Sequence, residues 1–168
     1  DWEKSRQEGE SAADLVTAYE EVKQALGLTE SVEDMAKSTA VSSMVYANRP
    51  GDGSAREQAA SCQRVLGGGA NIAIEYATKR YRSNVINWGM LPFLTSEEDS
   101  KTMAVGDYVY VPNVRDQLFS DSDDYKAYVI SGGVKKAEIT LHLGHLSDEE
   151  KDIIAAGCLI NYYANGKA

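Results

Sequence analysis

Val41-Ser42-Ser43-Met44-Val45-Tyr46 leads into Asn48-Arg49-Pro50-Gly51-Asp52-Gly53-Ser54. Ala55 to Leu66 follows, and then Gly67-Gly68-Gly69-Ala70-Asn71-Ile72-Ala73-Ile74. The first segment reads as a strand. The second holds two glycines and a proline, so it reads as a turn-built loop. The third reads as a helix that the three glycines stop. Ala70 to Ile74 then reads as a buried strand. Helix and strand therefore alternate through the first half of the chain.

Upstream, Leu15, Tyr19, Val22 and Leu26 fall at helical spacing from Ser11 onward, and Gly27 is placed to end that helix. A second short helix is expected through Val32, Met35 and Ala36. Residues 1–10 read as a polar lead-in. Downstream, Thr78 to Trp88 is expected to be helical, and Met90 to Leu94 is a short apolar run carrying Pro92. Ser96 to Lys101 reads as an acidic surface loop. Strands are expected at Asp107 to Val111, Lys126 to Ile130 and Ala137 to Leu143, with Gly132-Gly133 as a turn. Ser147-Asp148-Glu149-Glu150 fits a capping box that opens a last helix to about Ala164. The expected class is α/β with a mixed, barrel-like sheet. Residues 1–40 form a helical lead-in to a single domain whose main part is 41–168.

The bulk numbers narrow the function. The chain has 168 residues, 43% apolar and 26% charged, as in an ordinary globular domain. No stretch approaches the roughly 20 apolar residues of a membrane span. Asp1 to Glu10 are polar and charged, so no signal peptide is expected there. The chain also starts without Met, and a fragment or a processed product is expected. A net charge of −9 opposes contact with nucleic acid or an anionic membrane, yet a local site can still oppose it. Cytoplasmic localisation fits. The two cysteines, Cys62 and Cys158, match no zinc or redox spacing and read as buried reduced thiols. An iron–sulfur cage needs about three or four thiolates, more than this chain holds.

The chemistry concentrates in Gly51-Asp52-Gly53-Ser54-Ala55-Arg56-Glu57-Gln58. A helix start offers unpaired amides and the positive end of the dipole, which attract carboxylate or phosphate. Gly51 and Gly53 let a ligand approach the backbone. Arg56 adds a planar fork suited to a carboxylate. Ser54 has two readings. With Glu57 it fits a capping box. As a base it needs its alkoxide stabilised by the helix amides and a nearby cation. On local physics the cap is preferred. The loop lacks the Lys-Ser/Thr ending of a P-loop and the third glycine of a dinucleotide fingerprint.

Four ordered segments resemble the swivelling C-terminal domain of the aconitase family. Gly53-Ser54-Ala55-Arg56-Glu57-Gln58-Ala59-Ala60 is similar to its Gly-Ser-Ser-Arg-Glu-His-Ala-Ala. Arg64-Val65-Leu66-Gly67-Gly68 is similar to Arg-His-Leu-Gly-Gly. Asn84 followed by Gly89-Met90-Leu91-Pro92 is similar to Asn then Gly-Leu-Leu-Pro. Gly157-Cys158-Leu159-Ile160-Asn161-Tyr162 is similar to Gly-Gly-Ile-Leu-Asn-Tyr. The resemblance spans roughly Val41 to Tyr163. It implies a swivelling β/β/α domain of a hydro-lyase that dehydrates hydroxy di- or tricarboxylic acids. It implies Ser54 as catalytic base and Arg56 as carboxylate ligand; Gly53 and the amides of Ala55 and Arg56 are expected to shape the substrate pocket beside them. It also implies a [4Fe-4S] cluster held by other domains, with no metal bound by this chain, which alone is expected to be inactive. Ala55 stands where the pattern has its second Ser, and Gln58 where it has His. A further family arginine lies upstream, and neither Arg6 nor Arg49 is assigned to it.

Two other architectures remain open. One is a separate small subunit of an isopropylmalate dehydratase-like enzyme, partnered by a large cluster-bearing subunit. The other is a non-catalytic carboxylate-binding domain on the same fold. Elsewhere, Arg49 reads as a solvated loop residue and Lys79-Arg80-Tyr81-Arg82 as a helix surface. His142 and His145 read as structural or surface residues, and Asp121 to Asp124 as a solvated turn.

Overall fold

The computed structural model describes residues 12–166, with side chains from 15 onward. Arg6 and the polar lead-in lie outside the described residues. The chain divides into two compact units. One contains the described part of Asp1–Val41 with Lys101–Pro112 and Lys126–Ile139; the other contains Ser42–Ser100, Asn113–Tyr125 and Thr140–Ala168.

In the first unit, helix α1 (Ala12–Leu26) ends at Gly27, which adopts φ +65°. Helix α2 (Val32–Ser38) is capped by Ser31, whose hydroxyl accepts from the Asp34 amide. The predicted stripe Leu15, Tyr19, Val22 and Leu26 packs on Met35 and Ile130. Tyr19 keeps its hydroxyl satisfied at the Thr39 carbonyl, 2.6 Å away. Strands β4 (Tyr108–Tyr110), β5 (Tyr125–Ser131) and β6 (Val134–Leu141) form a sheet in the order β4-β5-β6. The Gly133 amide at the β5–β6 turn donates to the Glu21 carboxylate of α1 at 3.2 Å.

The second unit is built on a parallel sheet. Strands β1 (Ser43–Ala47), β2 (Gly68–Ala73) and β3 (Leu91–Leu94) lie in the order β1-β2-β3. Parallel neighbours need crossovers. Helix α3 (Arg56–Val65) returns the chain from β1 to β2, and α4 (Lys79–Asn87) from β2 to β3. The central strand carries the burial, with Asn71, Ile72 and Ala73 enclosed. Pro92 sits in β3, an edge position where a missing amide is tolerated. Phe93 of β3 meets the Tyr125 ring edge-on at 5.4 Å.

Several expectations change. The sheets are two open three-stranded sheets rather than a barrel-like one, because three strands are too few to close around a filled interior. The glycines only partly stop the helix: Gly67 ends α3, whereas Gly68 and Gly69 already belong to β2. Part of the Ser96–Lys101 loop is helix α5 (Glu97–Ser100), and Asn113 leads into an unforeseen helix α6 (Val114–Leu118). The capping box at Ser147 is present with both bonds. Its helix does not run unbroken to Ala164. Gly157, at φ +87°, separates α7 (Asp148–Ala156) from α8 (Leu159–Ala164). The cysteines are less buried than expected: Cys62 is exposed and Cys158 half-buried.

Gly157 explains Gly89. Gly89 adopts φ +68°, and a Cβ placed on it would stand 1.9 Å from the Gly157 carbonyl oxygen. Gly89→Ala therefore combines left-handed strain with a backbone clash, and is expected to cost about 2–4 kcal/mol in denaturant unfolding. Gly67→Ala, at φ +88° in open space, is expected to cost only the strain, roughly 1–2 kcal/mol.

Burial lifts the Tyr125 phenol from 10.0 to about 12, helped by the Asp123 charge. Below pH 10 the phenol is protonated whether the chain is folded or unfolded. Above it the unfolded chain ionises first, so stability falls as pH rises toward about 12. Thermal unfolding across this range is expected to show that decline, and Tyr125→Phe is expected to flatten it.

Candidate functional site

The loop between β1 and α3 leaves the carboxyl end of a parallel strand, where open α/β sheets place ligands. Two neighbours hold it there. The Glu75 amide donates to the Asn48 carbonyl at 3.1 Å, and the Ala77 amide to the Pro50 carbonyl at 2.9 Å. Both come from the loop after β2, so the ends of β1 and β2 are fastened together. Arg49 and Glu75 pair at 2.9 Å across the same loops, both well exposed. Such a surface pair adds little stability. Arg49 is thus an exposed loop residue, as read from the sequence, with Glu75 as its partner.

Gly51 is the pivot of the loop. It adopts φ +96°, and a Cβ there would fall 2.4 Å from the Tyr81 Cβ. Only glycine meets both conditions. The Gly51 carbonyl accepts from Arg56 Nε at 3.1 Å and from the Thr78 hydroxyl at 3.0 Å. Gly53, in contrast, has open space around it.

The capping reading of Ser54 and Glu57 is overturned. The N-cap of α3 is Ala55, with φ −86° and ψ 48°, and no side chain caps the helix. Ala55 has no oxygen to offer, and Ser54 stands one residue too early. No side chain of the loop therefore satisfies the first amides of α3. Ser54, Ala55 and Gly53 are exposed, and Arg56 is half-buried. Arg56 makes no ion pair among the described residues.

Behind the loop lies a buried polar chain that periodicity did not reveal. Asn71, on the central strand, is 1% exposed. Its Nδ2 donates to the Tyr81 hydroxyl at 3.0 Å, and its Oδ1 accepts from Gln63 Nε2. Gln63 also reaches the Ala70 carbonyl at 3.2 Å. The network ties α3, β2 and α4 beneath the loop. Tyr81 is therefore core, not part of a basic helix surface. Arg82, beside it, donates to the Leu143 and His145 carbonyls at 2.8 and 3.2 Å.

Other candidates prove structural. Asp121 to Asp124 are exposed, as a solvated turn requires, and the Asp123 carboxylate in addition accepts from the Leu143 and Gly144 amides. His142 pairs with Asp124 at 3.1 Å. These segments border a cleft of about 360 Å³ that no residue of the Gly51–Gln58 loop lines. Among the described residues, no three His, Cys, Asp or Glu side chains gather as a metal site. Two separate thiols cannot cage an iron–sulfur cluster. No helix among the described residues is long and apolar enough to cross a membrane.

Known proteins resemble the chain in both family and fold. The family described as "Aconitase C-terminal domain" matches residues 8–98, more than half of the chain. Among solved structures, 3-isopropylmalate dehydratase of Methanocaldococcus jannaschii is similar in fold, with a TM-score of 0.56 and 24% identity. That match covers 80% of this chain and 71% of the other. No curated protein matches the chain.

Tyr81→Phe keeps the ring against Gly51 but strands the buried Asn71 amide. It is expected to lower unfolding stability by about 1–3 kcal/mol in urea denaturation. Tyr46→Phe removes an exposed hydroxyl bonded to Asn48, and is expected to stay within about 0.5 kcal/mol of the parent.

Proposed function

Since the chain belongs to the aconitase C-terminal domain family, we propose that it is the substrate-binding domain of a hydro-lyase acting on hydroxy di- or tricarboxylic acids. The observation that carries this reading is the uncapped start of α3, with Ser54 exposed before it and Arg56 anchored to the Gly51 carbonyl. In this reading Arg56 and the first amides of α3 bind a substrate carboxylate. In dehydration Ser54 takes the proton from the carbon next to that carboxylate, the C–H electron pair becomes the C=C bond, and the hydroxyl leaves from the neighbouring carbon toward the partner's side of the site, where a Lewis acid would accept it. The positive helix end and Arg56 favour the serine alkoxide that this role requires. Gly53 and Ala55 shape the approach, and neither projects a bulky side chain into it.

In this reading a [4Fe-4S] cluster is held by other domains, since the two cysteines of this sequence are fewer than a cage needs. The chain supplies the carboxylate-binding and proton-transfer half of the site, and the cluster-bearing domains or large subunit supply the rest. The solved neighbour is a 3-isopropylmalate dehydratase. That favours, as a second reading, a separate small subunit with a large partner. Co-purification with a distinct cluster-bearing chain decides between this architecture and one long enzyme.

The test is reconstitution with the cluster-bearing partner, followed by hydration of unsaturated di- and tricarboxylates. Ser54→Ala is expected to lower kcat by about 10²–10⁴-fold with little change in KM. Arg56→Lys is expected to act mainly on KM, because a lysine cannot form the bidentate contact. Equal turnover by Ser54→Ala and the parent removes the serine from the base role. Binding of the acids through Arg56 without any turnover identifies a non-catalytic carboxylate-binding domain instead.

A further inference from the structure

We infer that Thr78 is a positioning residue for the Arg56 guanidinium, acting through the Gly51 carbonyl. The inference rests on the reading of Arg56 as a carboxylate ligand. Three segments meet at one oxygen atom. Gly51 contributes the carbonyl, Arg56 donates from Nε at 3.1 Å, and Thr78 donates from its hydroxyl at 3.0 Å. The same hydroxyl accepts from the Tyr81 amide at 3.2 Å, where Thr78 serves as the N-cap of α4. A threonine hydroxyl has one hydrogen, and here it goes to Gly51 while a lone pair goes to the helix. The hydroxyl is therefore held from both sides.

The Gly51 carbonyl is restrained in turn. The Tyr81 ring lies against the Gly51 Cα, and the Ala77 amide holds Pro50 at 2.9 Å. A fixed acceptor fixes the donor. With Nε bound to Gly51, the guanidinium presents its Nη1/Nη2 edge as the free bidentate face. A carboxylate is thus met end-on by a fork that has already lost much of its freedom, which lowers the ordering cost of binding. Thr78 lies 22 positions beyond Arg56 in the chain, and α3 with the central strand intervenes.

A cap needs only the lone pair of Thr78, whereas positioning needs its hydrogen. Proton exchange in the full chain separates the two roles. The Arg56 Nε–H is expected to exchange several-fold more slowly than that of the exposed Arg80. Thr78→Val is expected to erase that protection, and Thr78→Ser to restore it. The Tyr81 amide reports loss of the cap separately. Titration with tricarballylate, a saturated tricarboxylate, is expected to weaken by up to about tenfold in Thr78→Val and to recover in Thr78→Ser. If Thr78→Val alters only the Tyr81 amide and leaves the Arg56 Nε–H protected, Thr78 is a cap and the inference is overturned. If tricarballylate binds the parent and Arg56→Lys alike, the carboxylate reading falls. Loss and serine rescue of Nε–H protection then still establish the positioning itself.

Discussion

The carbonyl oxygen of Gly51 receives a bond from Arg56 Nε and another from the Thr78 hydroxyl. Around that shared acceptor the loop after β1, the start of α3 and the start of α4 take fixed places. The arrangement requires a residue with no side chain, because φ is +96° and the Tyr81 ring occupies the space where a Cβ would be. A loop of this kind is normally the softest part of a domain. Here backbone bonds from Glu75 and Ala77 and a ring packed on Gly51 hold it against the sheet. Gly53, free of any neighbour, keeps its outer side open.

The loop is only as firm as the layer beneath it. Asn71 is a polar residue on the central strand, and its burial is tolerable because Tyr81 and Gln63 satisfy its amide. The network links the two crossover helices to the strand between them. It also orients the tyrosine whose ring limits Gly51. Farther along, Gly89 lies against the Gly157 carbonyl. That contact brings the end of α4 to the break between α7 and α8. Two of the glycine-bearing segments picked out in the sequence therefore meet in space, where Gly89 has no room for a side chain, while Gly157 is demanded by its own φ of +87°.

Much of the architecture was legible in residue order. The stripe Leu15, Tyr19, Val22 and Leu26 packs as its spacing requires, and Ser147 caps with Glu150 as its pattern requires. The strands after Asp107 follow their alternation to within a few residues. What failed to read correctly depended on neighbours distant in sequence. Gly68 and Gly69 looked like a continued helix stop, yet β1 and β3 recruit them or their strand into a parallel ladder. Tyr81 looked like part of a basic surface, yet α3 and β2 enclose it. Asp123 is exposed as read, but its bonds to two amides from beyond β6 had no local signal.

The Gly51–Gln58 loop shows the same division. Its composition determined that a turn would lead into a helix and that Ser54 and Arg56 would stand at its start. These are local properties, set by glycine conformational freedom, amide geometry and charge. Only the tertiary structure decided that Ala55, not Ser54, occupies the N-cap, and that Arg56 points one of its donors at Gly51. Which oxygen caps a helix depends on where the preceding loop is held. That is settled by Thr78, Ala77 and Tyr81, residues a strand and a helix away that no local pattern can place.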